Sequence, residues 1–273
     1  MPREIGDLPH AIENEGELEQ RLAGKRLAVF LDYDGVLTPI VDRPEDAIIS
    51  EGMREVISNL AERCPVCVVS GRDRQVVQQL MGLENLIVAG SHGFDIWSPG
   101  EGTIQHDAGA GFEDLLEDVR DYLQSEAAPI EGSSIETKKA SVAIHYRLVA
   151  EEERPKIKEI VDSLLEERPD ELKVTPGKMV YEVQPKIDWH KGKAVLYLLE
   201  ALDLDGDDVM TMYLGDDVTD ENAFEALNET SPKGIGIFVG EADHPEVVGR
   251  TTSADYILYT VPEVETFLDG LAR

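Results

Sequence analysis

The sequence predicts an α/β protein, a doubly wound parallel sheet into which a smaller α+β domain is inserted. Two observations lead there. Near-continuous apolar runs such as LAVFL, residues 27–31, alternate with stretches of helical period toward both ends of the chain, which is how strands buried on both faces and covered by helices read. Between about residues 108 and 186 the runs turn short and alternating, the period of an antiparallel sheet with one open face.

RLAVFLD, residues 26–32, is the first strand, and Met53, Val56, Ile57 and Leu60 then share one face of a helix over about 51–63. PVCVVS follows as a strand, residues 73–81 as a helix stopped by Gly82, and LIVAG as a strand. The C-terminal third resumes the alternation. KGKAVLYLLEAL is a helix, VMTMYLG a strand, TDENAFEAL a helix, GIGIFVG and DYILYT strands, and VPEVETFLDGLA a closing helix. In the insertion, GFEDLLEDVRDYLQSE and residues 151–167 are helices, and each precedes two strands: SIETKKA with SVAIHYRLV, and LKVT with MVYEV. The last pair is expected to turn through Thr175, Pro176, Gly177 and Lys178. The expected domains are therefore 1–107 with 187–273, and an inserted αββαββ block over 108–186. The first 20 residues read either as a short helix on the core or as a loose extension.

Fifty-six acidic residues against 25 basic leave a net charge of −31. That field repels nucleic acid and anionic membranes over about 10 Å, so neither is expected as a partner. The chain has no run of about eighteen uncharged apolar residues, and its polar, acidic start does not resemble a leader, so a cytoplasmic protein is expected. The sequence sets no oligomeric state, and a monomer is the simplest reading. The acidic surface suggests a salt-adapted host; an unfolding midpoint that fell from low to multimolar salt would exclude this. An anionic substrate must then be held by local cations, and residues 138–193 hold 12 of the 25 basic residues.

Cys64 and Cys67 are expected to be reduced structural thiols. Cys67 lies in an apolar strand, and no second pair exists to complete a four-ligand metal site. The acidic stretch 203–208 resembles a calcium loop but has no register with Gly at the sixth position and Glu at the twelfth.

In open α/β sheets, ligands bind beyond the carboxyl ends of the strands. Three polar clusters fall there: Asp32 with Asp34, Ser70 with Arg72, and Asp216, Asp217 and Asp220. Carboxylates packed together raise one another's pKa unless a cation joins them. Hard oxygen ligands suit Mg²⁺, which brings phosphate with it. Asp32 and Asp34 share one side of an extended chain, so one could attack phosphorus while the other handles a proton. Ser70 alone reads equally well as a helix cap.

DYDGVL, Ser70 after its strand, Lys191 in HKGKAV and GDDVTD together resemble the four ordered motifs of the haloacid dehalogenase superfamily of phosphatases. The insertion resembles the cap of its sugar-phosphate branch. Within that branch SGRD, GSHGF, IETKKASVAIHYR, GKMVYEVQP and GDDVTDE resemble the trehalose-6-phosphate phosphatases, over roughly residues 26–260. Val36 stands where that family commonly has Thr.

The resemblance implies a haloacid dehalogenase-like core and a set of roles. Asp32 would be the nucleophile, and Asp34 the acid that becomes the base. Ser70 and Lys191 would hold phosphoryl oxygens. Mg²⁺ would sit among Asp32, the Asp34 carbonyl and Asp216, with Asp220 in support and Asp217 either a ligand or an orienter. Arg72 and His92, at the rim of the site, would contact the substrate. Glu136, Lys138, His145, Arg147, Lys178 and Glu182 would bind the sugar, since carboxylate and ammonium groups suit neighbouring hydroxyls. The expected activity is hydrolysis of trehalose 6-phosphate, a small-molecule sugar phosphate. Rivals are another sugar phosphatase, acting on sucrose phosphate, glucosylglycerol phosphate or mannosyl-3-phosphoglycerate, and a phosphomutase. From a different class comes a receiver-like phosphoacceptor module.

Overall fold

The structure is a computed structural model that describes residues 2–104 and 111–273. A short strand β1 (Arg3–Glu4) and helix α1 (Glu15–Leu22) precede the apolar run, which forms β2 (Arg26–Leu31). Then come α2 (Glu51–Ala61), β3 (Val66–Val69), α3 (Arg74–Met81), β4 (Ile87–Gly90), β5 (Asp95–Ser98) and β6 (Gly102–Ile104). Ser50 caps α2 by accepting from the Met53 N–H at 3.0 Å. Gly82 ends α3 at φ +63°, a conformation that suits a residue without Cβ.

The inserted elements are α4 (Glu113–Glu126), β7 (Ser134–Thr137), β8 (Val142–His145), α5 (Arg154–Glu167), β9 (Leu172–Gly177) and β10 (Val180–Pro185). The chain continues with α6 (Lys191–Ala201), β11 (Val209–Gly215), α7 (Val218–Glu229), β12 (Ile235–Val239), β13 (Thr251–Thr252), β14 (Tyr256–Leu258) and α8 (Val261–Leu271). The described residues fall into two compact units, one running to Ile104 and resuming over His190–Arg273, the other ending at Trp189. The boundary expected near 108 lies outside the described residues.

The first unit holds an eight-stranded sheet in the order β14-β12-β11-β2-β3-β4-β5-β6. Successive residues of β2 feed opposite layers. Val29 and Leu31 join Leu18, Met53, Ile57, Val77 and Leu268, whereas Ala28 and Phe30 join Val195, Leu198, Phe224 and Leu227. Burying each of the larger of these side chains contributes about 1.5–3 kcal/mol, so both layers help to hold the sheet. The parallel sheet expected from sequence is in fact mixed, because β5 pairs antiparallel with β4, and β6 with β5. Only residues 91–94 separate β4 from β5, too few for the dozen or so a parallel crossover takes.

The opening residues belong to the first unit. Arg3 and Glu4 pair with Thr252 and Thr251, and Ile5, Leu8, Ala11 and Leu18 are buried.

In the second unit four antiparallel strands run in the order β7-β8-β10-β9. Leu116, Val119 and Leu123 of α4 and Ile157, Val161 and Leu164 of α5 pack on Val142, Ile144 and Val183. By alternation, Glu136, Ala143, His145 and Glu182 belong to the opposite face. One expectation is corrected here. Thr175 and Pro176 do not turn but pair with Glu182 and Tyr181, and the hairpin closes on Lys178 and Met179. Met179 takes the left-handed conformation, φ +63°, and Pro176 sits in β9, an edge strand, where a missing N–H is tolerated.

Among the described residues no helix is long and apolar enough to cross a membrane.

Candidate active site

The backbone of Asp32 is still in the sheet, its N–H donating to the Leu214 carbonyl at 2.9 Å. Its buried carboxylate accepts from the Tyr33 N–H at 2.7 Å and from Lys191 Nζ at 2.8 Å. The chain then turns at Gly35, whose φ of +78° and contact with Asp216 both require glycine: a Cβ there would collide with the Asp216 carboxylate.

Lys191 is the first residue of α6, and its side chain is 2% exposed. Its ammonium bridges Asp32 Oδ2 and Asp220 Oδ1, the latter at 2.7 Å. Gly192 lets α6 and α7 meet closely, since a Cβ would strike the Asn222 carbonyl.

Asp220 is fully buried and its acceptor positions are taken. Oδ1 accepts from Lys191 and from the Tyr213 hydroxyl at 2.6 Å, and Oδ2 accepts from the Asp216 and Asp217 N–H groups, each at 3.0 Å. The last bond is half of a reciprocal capping box at the start of α7. Asp217 serves that helix end, accepting from the Val218 N–H at 2.6 Å.

Carboxylate oxygens of Asp32, Asp216 and Asp220 lie within 4.8 Å of one another. Burial pushes the Asp32 carboxyl well above the usual range; Lys191 opposes this, while Asp220 and Asp216 reinforce it. Burial also acts to raise Asp220, but Lys191, the Tyr213 hydroxyl and the backbone N–H more than offset it and hold it low. Lys191 stays charged because Asp220 and Asp32 outweigh the effect of burial. Lys191 bridges two of these carboxylates, Asp32 and Asp220, and Asp216 lies beside them. An all-oxygen donor set of this kind fits a hard divalent metal ion.

The second strand end brings a different pairing. Arg72 grips Asp34 bidentately, Nε to Oδ2 and Nη2 to Oδ1, both at 2.7 Å. Its Nη1 donates to the Pro44 carbonyl at 2.7 Å, and its guanidinium lies 5.5 Å from the Tyr33 ring centre. Ser70 Oγ accepts from the Arg72 N–H at 3.1 Å. The Ser91–Gly93 turn braces this loop: the Ser91 N–H donates to the Arg72 carbonyl at 2.7 Å and the His92 N–H to that of Ser70 at 2.8 Å. Ser91 and His92 both adopt positive φ, 50° and 56°, a strain that persists only where surroundings impose it. The His92 ring lies over Gly71, 2.8 Å from where a Cβ would be.

The second unit carries its own polar cluster. Glu136 and Glu182 both pair across Ala143. His145 Nε2 lies 2.8 Å from Glu136 Oε2, and Lys138 Nζ lies 3.3 Å from Glu182 Oε1, which also accepts from Ser141 Oγ at 2.5 Å. Burial acts to raise Glu136, but His145 and Lys138 hold it low. Arg147 donates to the Lys178 carbonyl at 2.9 Å. Four of the residues read from the sequence thus gather on one sheet face, and two lie at the hairpin end. Ser141 and Tyr213 were missed. The one sign of Tyr213 is a phenol in an otherwise largely apolar strand run, two residues before Gly215.

The fold is that of the haloacid dehalogenase-like hydrolases. A haloacid dehalogenase-like hydrolase from Bacteroides thetaiotaomicron shares the fold at a TM-score of 0.65 and 15% identity, over 90% of this chain and 99% of that one. The trehalose-phosphatase family model matches residues 30–261, and the chain belongs to that family. A trehalose 6-phosphate phosphatase of Zea mays is 38% identical over 278 residues, covering 97% of this chain and 75% of the relative. The C-terminal domain of C. albicans trehalose-6-phosphate phosphatase has a TM-score of 0.81 at 26% identity, over 97% of this chain and 98% of that one.

Proposed function

We propose that the protein hydrolyses trehalose 6-phosphate to trehalose and phosphate through an aspartyl-phosphate on Asp32. The observation that carries this reading is the Lys191 ammonium held between Asp32 and Asp220 beside Asp216, in a chain of this family. A carboxylate oxygen of Asp32 attacks phosphorus, the bond from phosphorus to the sugar oxygen breaks, and Asp34 gives that oxygen its proton. Asp34 then takes a proton from water, whose oxygen attacks the same phosphorus. The bond to Asp32 breaks and phosphate leaves.

Ser70 and Lys191 hold phosphoryl oxygens in this reading. Asp32, the Asp34 carbonyl and Asp216 would hold Mg²⁺, which supplies positive charge where phosphoryl charge develops. Asp220, saturated by four donors, supports Lys191 rather than the metal. Arg72 exchanges Asp34 for the incoming phosphate, and the released carboxylate takes up a proton from solvent, the one it then gives to the sugar oxygen; His92 keeps the Ser70 loop in shape. Glu136, Lys138, His145, Arg147, Lys178 and Glu182 take the disaccharide hydroxyls. The domain division at 108 and 186 and a cytoplasmic location belong to the same proposal.

The test is phosphate release with Mg²⁺ across trehalose 6-phosphate, sucrose 6-phosphate, glucose 6-phosphate, glucosylglycerol phosphate and mannosyl-3-phosphoglycerate. A preference of about a hundredfold in kcat/KM for trehalose 6-phosphate, roughly 2.7 kcal/mol in the transition state, is expected. Preference for another member overturns the substrate, and a single phosphate taken up per chain overturns the enzyme.

A further inference from the structure

Tyr213 interrupts a strand that is otherwise almost wholly apolar, and its side chain is fully buried. Its ring meets Phe224 edge-on, with centroids 5.7 Å apart and planes at 84°. Its hydroxyl donates to Asp220 Oδ1 at 2.6 Å. Asp220 and Phe224 lie four residues apart on α7 and so share a face. One side chain of β11 thereby holds two successive turns of that helix, one by packing and one by a hydrogen bond.

Asp220 is where the Lys191 ammonium is divided. Two carboxylates, Asp220 and Asp32, compete for it at 2.7 and 2.8 Å. The donors to Asp220 Oδ2 are backbone groups and cannot be traded away, whereas Oδ1 has one charged and one neutral donor. A neutral donor that satisfies part of a carboxylate's charge weakens that carboxylate's pull on a shared cation.

We infer that Tyr213 is a positioning residue for phosphoryl transfer: its hydroxyl bond to Asp220 keeps Lys191 shared with Asp32 instead of drawn wholly to Asp220. The inference rests on Asp32 being the nucleophile. Without the hydroxyl, Oδ1 faces the ammonium alone, and Lys191 moves away from Asp32 and from the phosphoryl oxygen that it is to hold. The sugar contacts do not change, and the ammonium acts most strongly on the charge that builds on the phosphoryl group in the transition state, so the effect falls mainly on kcat.

Tyr213→Phe keeps the ring and its packing, and it is compared with the native protein on trehalose 6-phosphate and on a simple aryl phosphate. The expected result is a folded variant whose kcat falls about tenfold on both, equivalent to roughly 1.4 kcal/mol in the barrier, with KM within about twofold. Phe224→Leu disturbs the packing but keeps the hydroxyl, so it should lower the melting midpoint and leave kcat within about twofold. In an Asp220→Asn background, Tyr213→Phe should cost nothing further. An unchanged kcat in Tyr213→Phe overturns the inference. So does an equal loss of kcat in Phe224→Leu, or a Tyr213→Phe chain that does not fold, since the hydroxyl would then be structural. A native protein that hydrolyses only the aryl phosphate sinks the substrate reading and leaves the role of Tyr213 to be decided on that ester.

Discussion

Arg72 holds both carboxylate oxygens of Asp34 at 2.7 Å. Planar, bidentate pairing of this kind cannot be reproduced by an ammonium. Arg72→Lys should therefore behave as a loss of function and not as a conservative change, with kcat/KM lower by about ten- to a hundredfold, because both Asp34 and the phosphate lose their partner. Steady-state kinetics at fixed Mg²⁺ decides this; native-like values would remove Arg72 from the site.

Asp32→Asn should lower kcat by more than about a thousandfold while leaving the melting midpoint within a few degrees. The substitution removes the nucleophile but also one of three crowded carboxylates, so little stability is lost. Single-turnover measurement of phosphate release reads the first effect and a thermal scan the second. Normal turnover would refute the mechanism.

Lys191→Met leaves Asp32 and Asp220 buried without their shared ammonium, beside Asp216. Removing one partner of a buried ionic cluster costs about 3–5 kcal/mol. A divalent cation bound only by the folded chain restores part of this, about 2.7 kcal/mol at a hundred times its dissociation constant. Urea unfolding of the variant with and without Mg²⁺ should show a larger Mg²⁺-dependent gain than in the native protein. No gain in either would mean that the acidic cluster takes no metal.

Gly35→Ala puts a methyl group against the Asp216 carboxylate at a φ of +78°. The backbone strain alone is worth about 1–3 kcal/mol, and displacing Asp216 should weaken Mg²⁺ dependence. Chemical denaturation and a Mg²⁺ titration of activity check the two parts.

The Cys64 thiol is pushed up by burial from its ordinary value near 9 to about 11, and burial pushes Cys67 up as well. At pH 8 only about one Cys64 in a thousand is thiolate, so native-state alkylation should be far slower than in urea. Proton linkage follows the same shift. The folded chain keeps the Cys64 proton to higher pH than the unfolded one, so this contribution is complete below pH 9 and is lost as pH rises toward 11. The urea midpoint should fall across that window, and fall less in Cys64→Ala.

Much of this was legible residue by residue. Alternating and continuous apolar runs located the strands, and the acidic clusters after LAVFLD and VMTMYL pointed to one edge of the sheet, because side-chain period and burial are local properties of sequence. The sequence lost track at connections. It missed β5 and β6, whose antiparallel return follows from a short link, and it misplaced the turn that closes at Lys178 and Met179, because Pro and Gly at 176 and 177 are the stronger turn formers.

By itself, then, the sequence determined the α/β core, the inserted αββαββ block and the residue types gathered at the strand ends. Only the tertiary structure decided which of them meet. Asp220 reads in sequence as an acid in support of the metal site, and the structure shows what surrounds it: Lys191, Tyr213 and two backbone groups. Asp34 reads as the acid that becomes the base, and the structure adds that Arg72 holds it from 38 residues away. Lys191 reaches Asp32 across 159 residues. Periodicity carries no information about such pairings, which arise when two strand ends and a helix start are brought within hydrogen-bond distance and every buried polar group must find a partner.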